Sequence, residues 1–291
     1  MRQTIIQLLL LALLATACGS VNKDEIDNLR NGSIEICGHG GVGFTSLNPF
    51  NALPANSLTS VTKVLEEYKA EGVEVDVQLT SDSVLVLYHD QNLASKTNLS
   101  GCINDTPADA IIGAEYICGF PYDLLQSEKI IALKTVTDRF KTYEEFPMLY
   151  LDLHIHNFCD NSRKYANLPT FALELVRFIE EENLPKDKVV IISMKDRMIL
   201  EILKHSDELQ LVFEETETFD EGLEFTLENN LKSMAVKPKL LTAELSKKAH
   251  DQGIEIITFG GKSSVGLANL VRKNPDVIQA DNVPVLQKLL Q

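Results

Sequence analysis

Short apolar runs rich in β-branched residues recur along the chain, at 34–37, 73–79, 84–89, 148–155, 189–194, 209–213, 233–236, 254–259 and 277–280. Between most of them lie stretches with the spacing of an amphipathic helix, at 57–70, 168–183, 197–205, 216–229, 242–252 and 265–273. Strand and helix alternating through a whole domain predict an α/β fold with a parallel sheet. Nine strand candidates, against the eight of a closed barrel, fit a single-domain (β/α)8 TIM barrel with one extra segment. The join from Val77 to Val84 is too short for a helix, so one crossover, between the second and third strands, is reduced. The alternative is an open doubly wound sheet, but no G-x-G-x-x-G loop follows the first strand.

Polar residues on these strands follow a pattern of their own. In Val73-Glu74-Val75-Asp76-Val77 the valines fall on one face and both acids on the other. Two like charges on a mostly buried strand are costly unless a cation lies between them. Hard oxygen ligands of this kind favour Mg²⁺ or Ca²⁺. The bland alternative is a strand that shows its acids to solvent. Further along, Tyr150, Asp152, His154 and His156 share one face, opposite Leu149, Leu151, Leu153 and Ile155. Glu35, Cys37 and His39 share a face of the first strand, and Leu85, Leu87 and His89 a face of the third. Most of these ionisable groups fall at the C-terminal ends of their strands, where barrel active sites lie. A random scatter of surface charge would not collect there.

The N-terminus changes the picture of where the domain works. Met1-Arg2 is followed by an apolar run to Leu14 and then Ala15-Thr16-Ala17-Cys18. The run is too short to span a membrane and has the form of an export signal. Small residues ending at cysteine resemble a bacterial lipoprotein processing site, so residues 1–18 are assigned as signal peptide, with Cys18 lipidated; ordinary secretory cleavage nearby is the alternative. Residues 19–32 are polar and aperiodic, a tether, and 33–291 form the barrel. The expected location is therefore outside the cytoplasm, lipid-anchored to a membrane. Four further cysteines, at 37, 102, 118 and 159, permit disulfides there. Cys102–Cys118 is the favoured local pair and Cys37 a buried thiol. No C-x-x-C spacing supports zinc. The net charge of −15 argues against nucleic acid, which needs clustered Lys and Arg. It does not exclude a small anionic substrate, since a bound cation reverses the local sign.

Gly38-His39-Gly40-Gly41, Pro54-Ala55-Asn56-Ser57, Glu74 to Asp82 and Leu85 to Asp90 together resemble the glycerophosphodiester phosphodiesterase family. Asp152-Leu153-His154, Ser193-Met194 and Asp281-Asn282 follow in the family's order, so the resemblance covers roughly residues 34 to 290. It implies metal-dependent cleavage of a small anionic phosphodiester to glycerol 3-phosphate and an alcohol. His39 and His89 would be the acid–base pair, with Glu74, Asp76 and Asp152 on the divalent cation, Mg²⁺ or Ca²⁺. In this family the attacking group is thought to be the substrate's neighbouring glycerol hydroxyl, giving a cyclic phosphate that water opens.

The chain also departs from the family. Gly40 stands where arginine is usual, Ala55 where glutamate is usual, and Asp152 and His154 where glutamate and lysine are usual. Glycine cannot replace a bidentate guanidinium. His154, Lys195 and Lys237 are the candidates for binding the substrate phosphate, the lysines alternatively lying along the barrel rim. Two other functions stay open: a phosphodiesterase for a different cell-envelope phosphodiester, and a non-catalytic binding lipoprotein on the same barrel.

Overall fold

The computed structural model describes residues 21–44, 51–156, 159, 167–215 and 217–291. The signal segment, Cys18 and residues 19–20 lie outside the described residues. Among the described residues no helix is long and apolar enough to cross a membrane.

Among the described residues ten strands form one sheet: β1 (Glu35–Gly38), β2 (Gly72–Leu79), β3 (Leu85–Leu87), β4 (Ile131–Ala132), β5 (Met148–Leu153), β6 (Val189–Ser193), β7 (Gln210–Glu215), β8 (Ser233–Val236), β9 (Glu255–Gly260) and β10 (Val277–Ala280). Neighbours run in the order β1-β10-β9-β8-β7-β6-β5-β2, and a β1–β2 pairing closes the ring. All eight ring strands are parallel, the expected barrel. The segment in excess is β3. It turns back antiparallel on β2, pairing Val77 with Leu87 and Leu79 with Leu85, and β4 adds to its far side. The short join after β2 is thus a hairpin turn. The parallel crossover from β2 to β5 instead passes through β3, β4 and the helix Leu133–Phe140.

The period-two pattern explains the layering. Val73, Val75, Val77, Leu149, Leu151 and Leu153 are buried in the outer core between strands and helices. The helix Leu58–Glu66 begins where the Ser57 side chain accepts the Ser60 amide, and it sends Val61, Val64 and Leu65 into that core. Each such side chain contributes roughly 1.5–3 kcal/mol. Inside the ring, Cys37, Tyr150, Val190, Ile192, Val212, Ala235, Ile257 and Val277 pack together. Cys37 is the buried free thiol expected. Below them the Tyr150 hydroxyl donates to Glu35 at 2.5 Å, and Arg30 joins Glu35 to Glu255. These polar groups close the bottom of the barrel.

Arg30 belongs to the stretch expected as a tether. From Asn22 onward that stretch is docked rather than free. Ile26 is buried in the outer core, Asn28 donates to the Pro275 carbonyl at 2.9 Å and the Leu29 amide to Asp276 at 2.8 Å. The Asn28 side chain and the Leu29 backbone thus bind the residues that lead into β10, a role with no periodicity to detect.

The chain between β3 and β4 builds a satellite core from Val86, Tyr88, Leu93, Ile103, Ile111, Tyr116 and Ile130. The expected Cys102–Cys118 bridge is not formed. Cys102 is bonded to Cys159, with Cα atoms 5.7 Å apart, and Cys118 is a free thiol. Proximity in sequence misleads here because Asp123 and Gln126 hold Cys118 in a separate turn. The bridge therefore ties this insertion to the loop that follows β5. Non-reducing peptide mapping should recover a Cys102–Cys159 cross-link and an alkylatable Cys118. Closing a loop of 57 residues, it should also stabilise the fold by about 2–4 kcal/mol, read as a lower unfolding midpoint in Cys102→Ser. A Cys102–Cys118 peptide would contradict the assignment.

Candidate active site

The C-terminal ends of the ring strands open into a cavity of about 190 Å³ lined by His39, Asp76, His89, Asp152, His154, Glu214, Lys237, Phe259 and Gln279, among others. Strand register makes the acids neighbours: Asp76 lies beside Asp152 across the β2–β5 pair. Glu74 is one pleat deeper on the same inward face. One carboxylate oxygen from each of the three lies within 4.8 Å of the others.

Each acid has a different electrostatic setting. Burial, reinforced by the charges of Asp76 and Asp152, pushes the Glu74 carboxyl well above the usual range, although the Gly40 amide donates to it at 2.7 Å. Burial would raise Asp76 as well, but His154, His89 and Asn56 override it and hold that carboxyl at about 2. His154 Nε2 is 2.8 Å from Asp76 Oδ1, and Asn56 donates to Oδ2 at 2.5 Å while accepting the Asp76 amide. The same acid carries His154 well above an ordinary imidazole against the opposing effect of burial.

The donor set fits a hard divalent cation. Glu74 Oε1 and Asp152 Oδ1 are buried with no hydrogen-bond partner, a costly condition for carboxylate oxygens. They are the atoms that an ion between these strands would satisfy, using oxygen ligands only.

The two histidines at the strand ends share one design. His39 Nδ1 is 2.9 Å from Asp281 Oδ1, and His89 Nδ1 is 2.8 Å from Asp90 Oδ1. A carboxylate only accepts, so each Nδ1 carries the proton and each Nε2 remains for the cavity. Burial lowers the His89 pKa, but the Asp90 hydrogen bond and the charge of Asp76 outweigh it and leave it raised. A wider pocket of about 420 Å³ opens beside His89, with Phe44, Tyr88, Tyr116, Tyr122, Lys96 and Lys262 in its walls.

Of the lysine candidates, Lys237 lines the cavity, where its charge acts on Glu214. Lys195 does not line it and instead stands at the N-cap of the helix Asp196–Leu203. His154 reaches the site but turns toward Asp76 and Asp152.

Glu214 is absent from the sequence reading. It lies one residue past the apolar run at 209–213, in phase with inward-facing Val212, so continuing the alternation would have found it. Burial, then the charge of Asp152, push its carboxyl up to about 8. The bracing role of Asn56 left no sequence signal beyond its motif; its φ of 66° is a conformation that asparagine tolerates better than most residues.

Residues 49–264 match the model of the glycerophosphoryl diester phosphodiesterase family. The chain belongs to that family. Among proteins compared by sequence, the uncharacterized protein YqiK of Bacillus subtilis is 38% identical over 66 residues, a stretch that spans 23% of this chain and 27% of that protein. Among solved structures, an Oleispira antarctica phosphodiesterase in complex with the product sn-glycerol-3-phosphate superposes with a TM-score of 0.71 at 16% identity, covering 88% of this chain and 96% of that one. A Parabacteroides distasonis glycerophosphodiester phosphodiesterase gives 0.70 at 19% identity, with 88% and 96% covered. At these identities the likeness is one of fold.

The family's arginine and glutamate positions, here Gly40 and Ala55, turn out to be neighbours. A Cβ on Gly40 would lie 2.7 Å from the Ala55 Cβ and 2.8 Å from Phe44, at a φ of +59°. The ring of Phe44 is 4.6 Å from that of His39 and 4.8 Å from that of His89. An aromatic ring thus fills the space between the two histidines, against Gly40.

Proposed function

We propose that the protein is a divalent-cation-dependent phosphodiesterase that cleaves glycerophosphodiesters to glycerol 3-phosphate and an alcohol. The reading rests on one observation. Two histidines, each with Nδ1 fixed by a carboxylate, stand beside three clustered acids, two of which, Glu74 and Asp152, have an unpartnered oxygen. Family membership supports it, as does the product held by the Oleispira antarctica neighbour.

Glu74, Asp76 and Asp152 would hold the cation, Mg²⁺ or Ca²⁺, whose charge on a non-bridging oxygen lowers the barrier to attack on an anionic phosphate. His39, with a side chain only 22% exposed, accepts the proton of the attacking glycerol hydroxyl at Nε2. His89 protonates the leaving oxygen. Two features favour that division. The Asp90 hydrogen bond and the Asp76 charge keep His89 protonated to higher pH, and the wider pocket beside it has room for the departing alcohol. Lys237 is the candidate partner for the phosphate where the family's arginine is missing.

His39→Ala and His89→Ala should each lower kcat on glycerophosphocholine by about 10²–10⁴-fold in a folded protein. Turnover equal to wild type in either variant would refute the pair. The pH profile separates the roles. Asp90 raises the His89 pKa, so removing its charge in Asp90→Asn should move the alkaline limb of kcat to lower pH. A shift of the acid limb alone would reverse the assignment.

Under the same reading Cys18 carries the lipid and the exported protein is held on a bacterial membrane. The docked stretch from Asn22 supports this geometry: it lies at the strands' N-terminal ends, opposite the cavity. The mouth would then face away from the surface, toward water-soluble substrates. Cys18→Ala should move the protein from the membrane to the soluble fraction; unchanged membrane retention would contradict the anchor.

A further inference from the structure

The residues at the mouth offer a second set of metal donors, different in kind from the three carboxylates. Asp76, His89 and His154 each present one ligand atom, and these atoms lie within 4.8 Å of one another. His154 Nε2 is already 2.8 Å from Asp76 Oδ1, and the two imidazole rings are 4.8 Å apart. The other atoms of these groups are engaged in ways that leave the ligand atoms pointing together. Asn56 occupies Asp76 Oδ2, so Oδ1, which accepts from His154 Nε2, is the oxygen left for an ion. An entering ion takes both atoms by releasing the proton they share. Asp90 occupies His89 Nδ1, so Nε2 is the free nitrogen. A carboxylate on the far nitrogen is the usual support of a metal-bound imidazole.

We infer that Asp76, His89 and His154 bind a borderline transition ion of the Zn²⁺ class, and that this ion inhibits the enzyme by engaging His89. The inhibitory half rests on the acid–base role proposed above; the binding half does not. Ligand type separates the two sites. Three oxygens suit Mg²⁺ or Ca²⁺, whereas two imidazoles and one carboxylate suit zinc or its neighbours, with a fourth position open. An ammonium at position 154 would have no lone pair to offer a metal, whereas the His154 imidazole has one once its Nε2 proton has left.

The fit requires a modest adjustment. Metal–nitrogen bonds of about 2.0–2.1 Å place tetrahedral ligand atoms about 3.3 Å apart. Asp76 and His154 would move apart by a fraction of an ångström, and His89, whose side chain is half exposed, has room to turn inward. With its Nε2 lone pair on a metal, His89 can no longer carry a proton to the leaving oxygen. The two sites also share Asp76, so filling the second draws on a ligand of the first.

Co²⁺ is the probe, because nitrogen-ligated tetrahedral cobalt has a strong visible band. Added to the purified protein in excess Mg²⁺, it should give that band at one equivalent per chain. Zn²⁺ should abolish the band and Ca²⁺ should leave it. His154→Lys should lose the band and raise the Zn²⁺ inhibition constant by about tenfold or more; His154→Gln serves the same purpose if the lysine variant fails to fold. No band in the wild type, or a band unchanged in the folded variant, would overturn the site. A band without Zn²⁺ inhibition of an active enzyme would overturn the inhibitory role. An inactive wild type that still gives the band would count against the phosphodiesterase reading and leave the metal site supported.

Discussion

Repulsion among three carboxylates at the mouth of the barrel is the constraint around which the site is organised. Glu74 and Asp76 share one inward face of β2, and the strand register adds Asp152 beside them. Nothing in the outer core needs these acids; the valines between them already supply the packing. Buried like charges raise each other's free energy, and the surroundings answer with donors. The Gly40 amide bonds Glu74, and Asn56 and His154 bond Asp76. Two oxygens still lack a partner. Under the function proposed, a divalent cation would satisfy those oxygens and draw a phosphate toward the histidines.

The same arrangement explains how much could be read from sequence. Alternation exposes a strand's two faces directly, so β2, β5 and the inward acids were legible, as was the clustering of His39, His89 and Asp152 at strand ends. The nine apolar runs matched nine of the ten strands, because a barrel strand buried on both sides must be apolar on its outer face. Which run lies outside the ring was not legible: β3 looks like a ring strand, since a satellite core buries it as thoroughly. The Cys102–Cys159 bridge and the docking of Asn28 and Leu29 are long-range contacts with no local pattern. Glu214 lies one residue beyond the apolar run that marks β7, so the run alone does not reveal it.

The departures from the family also have a structural logic. Gly40 and Ala55 touch the same volume, and Phe44 closes it. Lys237 brings positive charge to the cavity, and Asp76 and Asp152 outweigh burial to raise the His154 pKa.

Calorimetric titration of Mg²⁺ or Ca²⁺ into the purified protein, repeated in buffers of different ionisation enthalpy, tests the central claim most directly. Burial and the charges of Asp76 and Asp152 hold Glu74 well above the usual carboxyl range, so cation binding should expel protons. The account predicts one ion per chain, a heat that depends on the buffer, tighter binding as pH rises, and loss of binding in Glu74→Gln and Asp152→Asn. No binding, or binding that survives both substitutions without proton release, would contradict it.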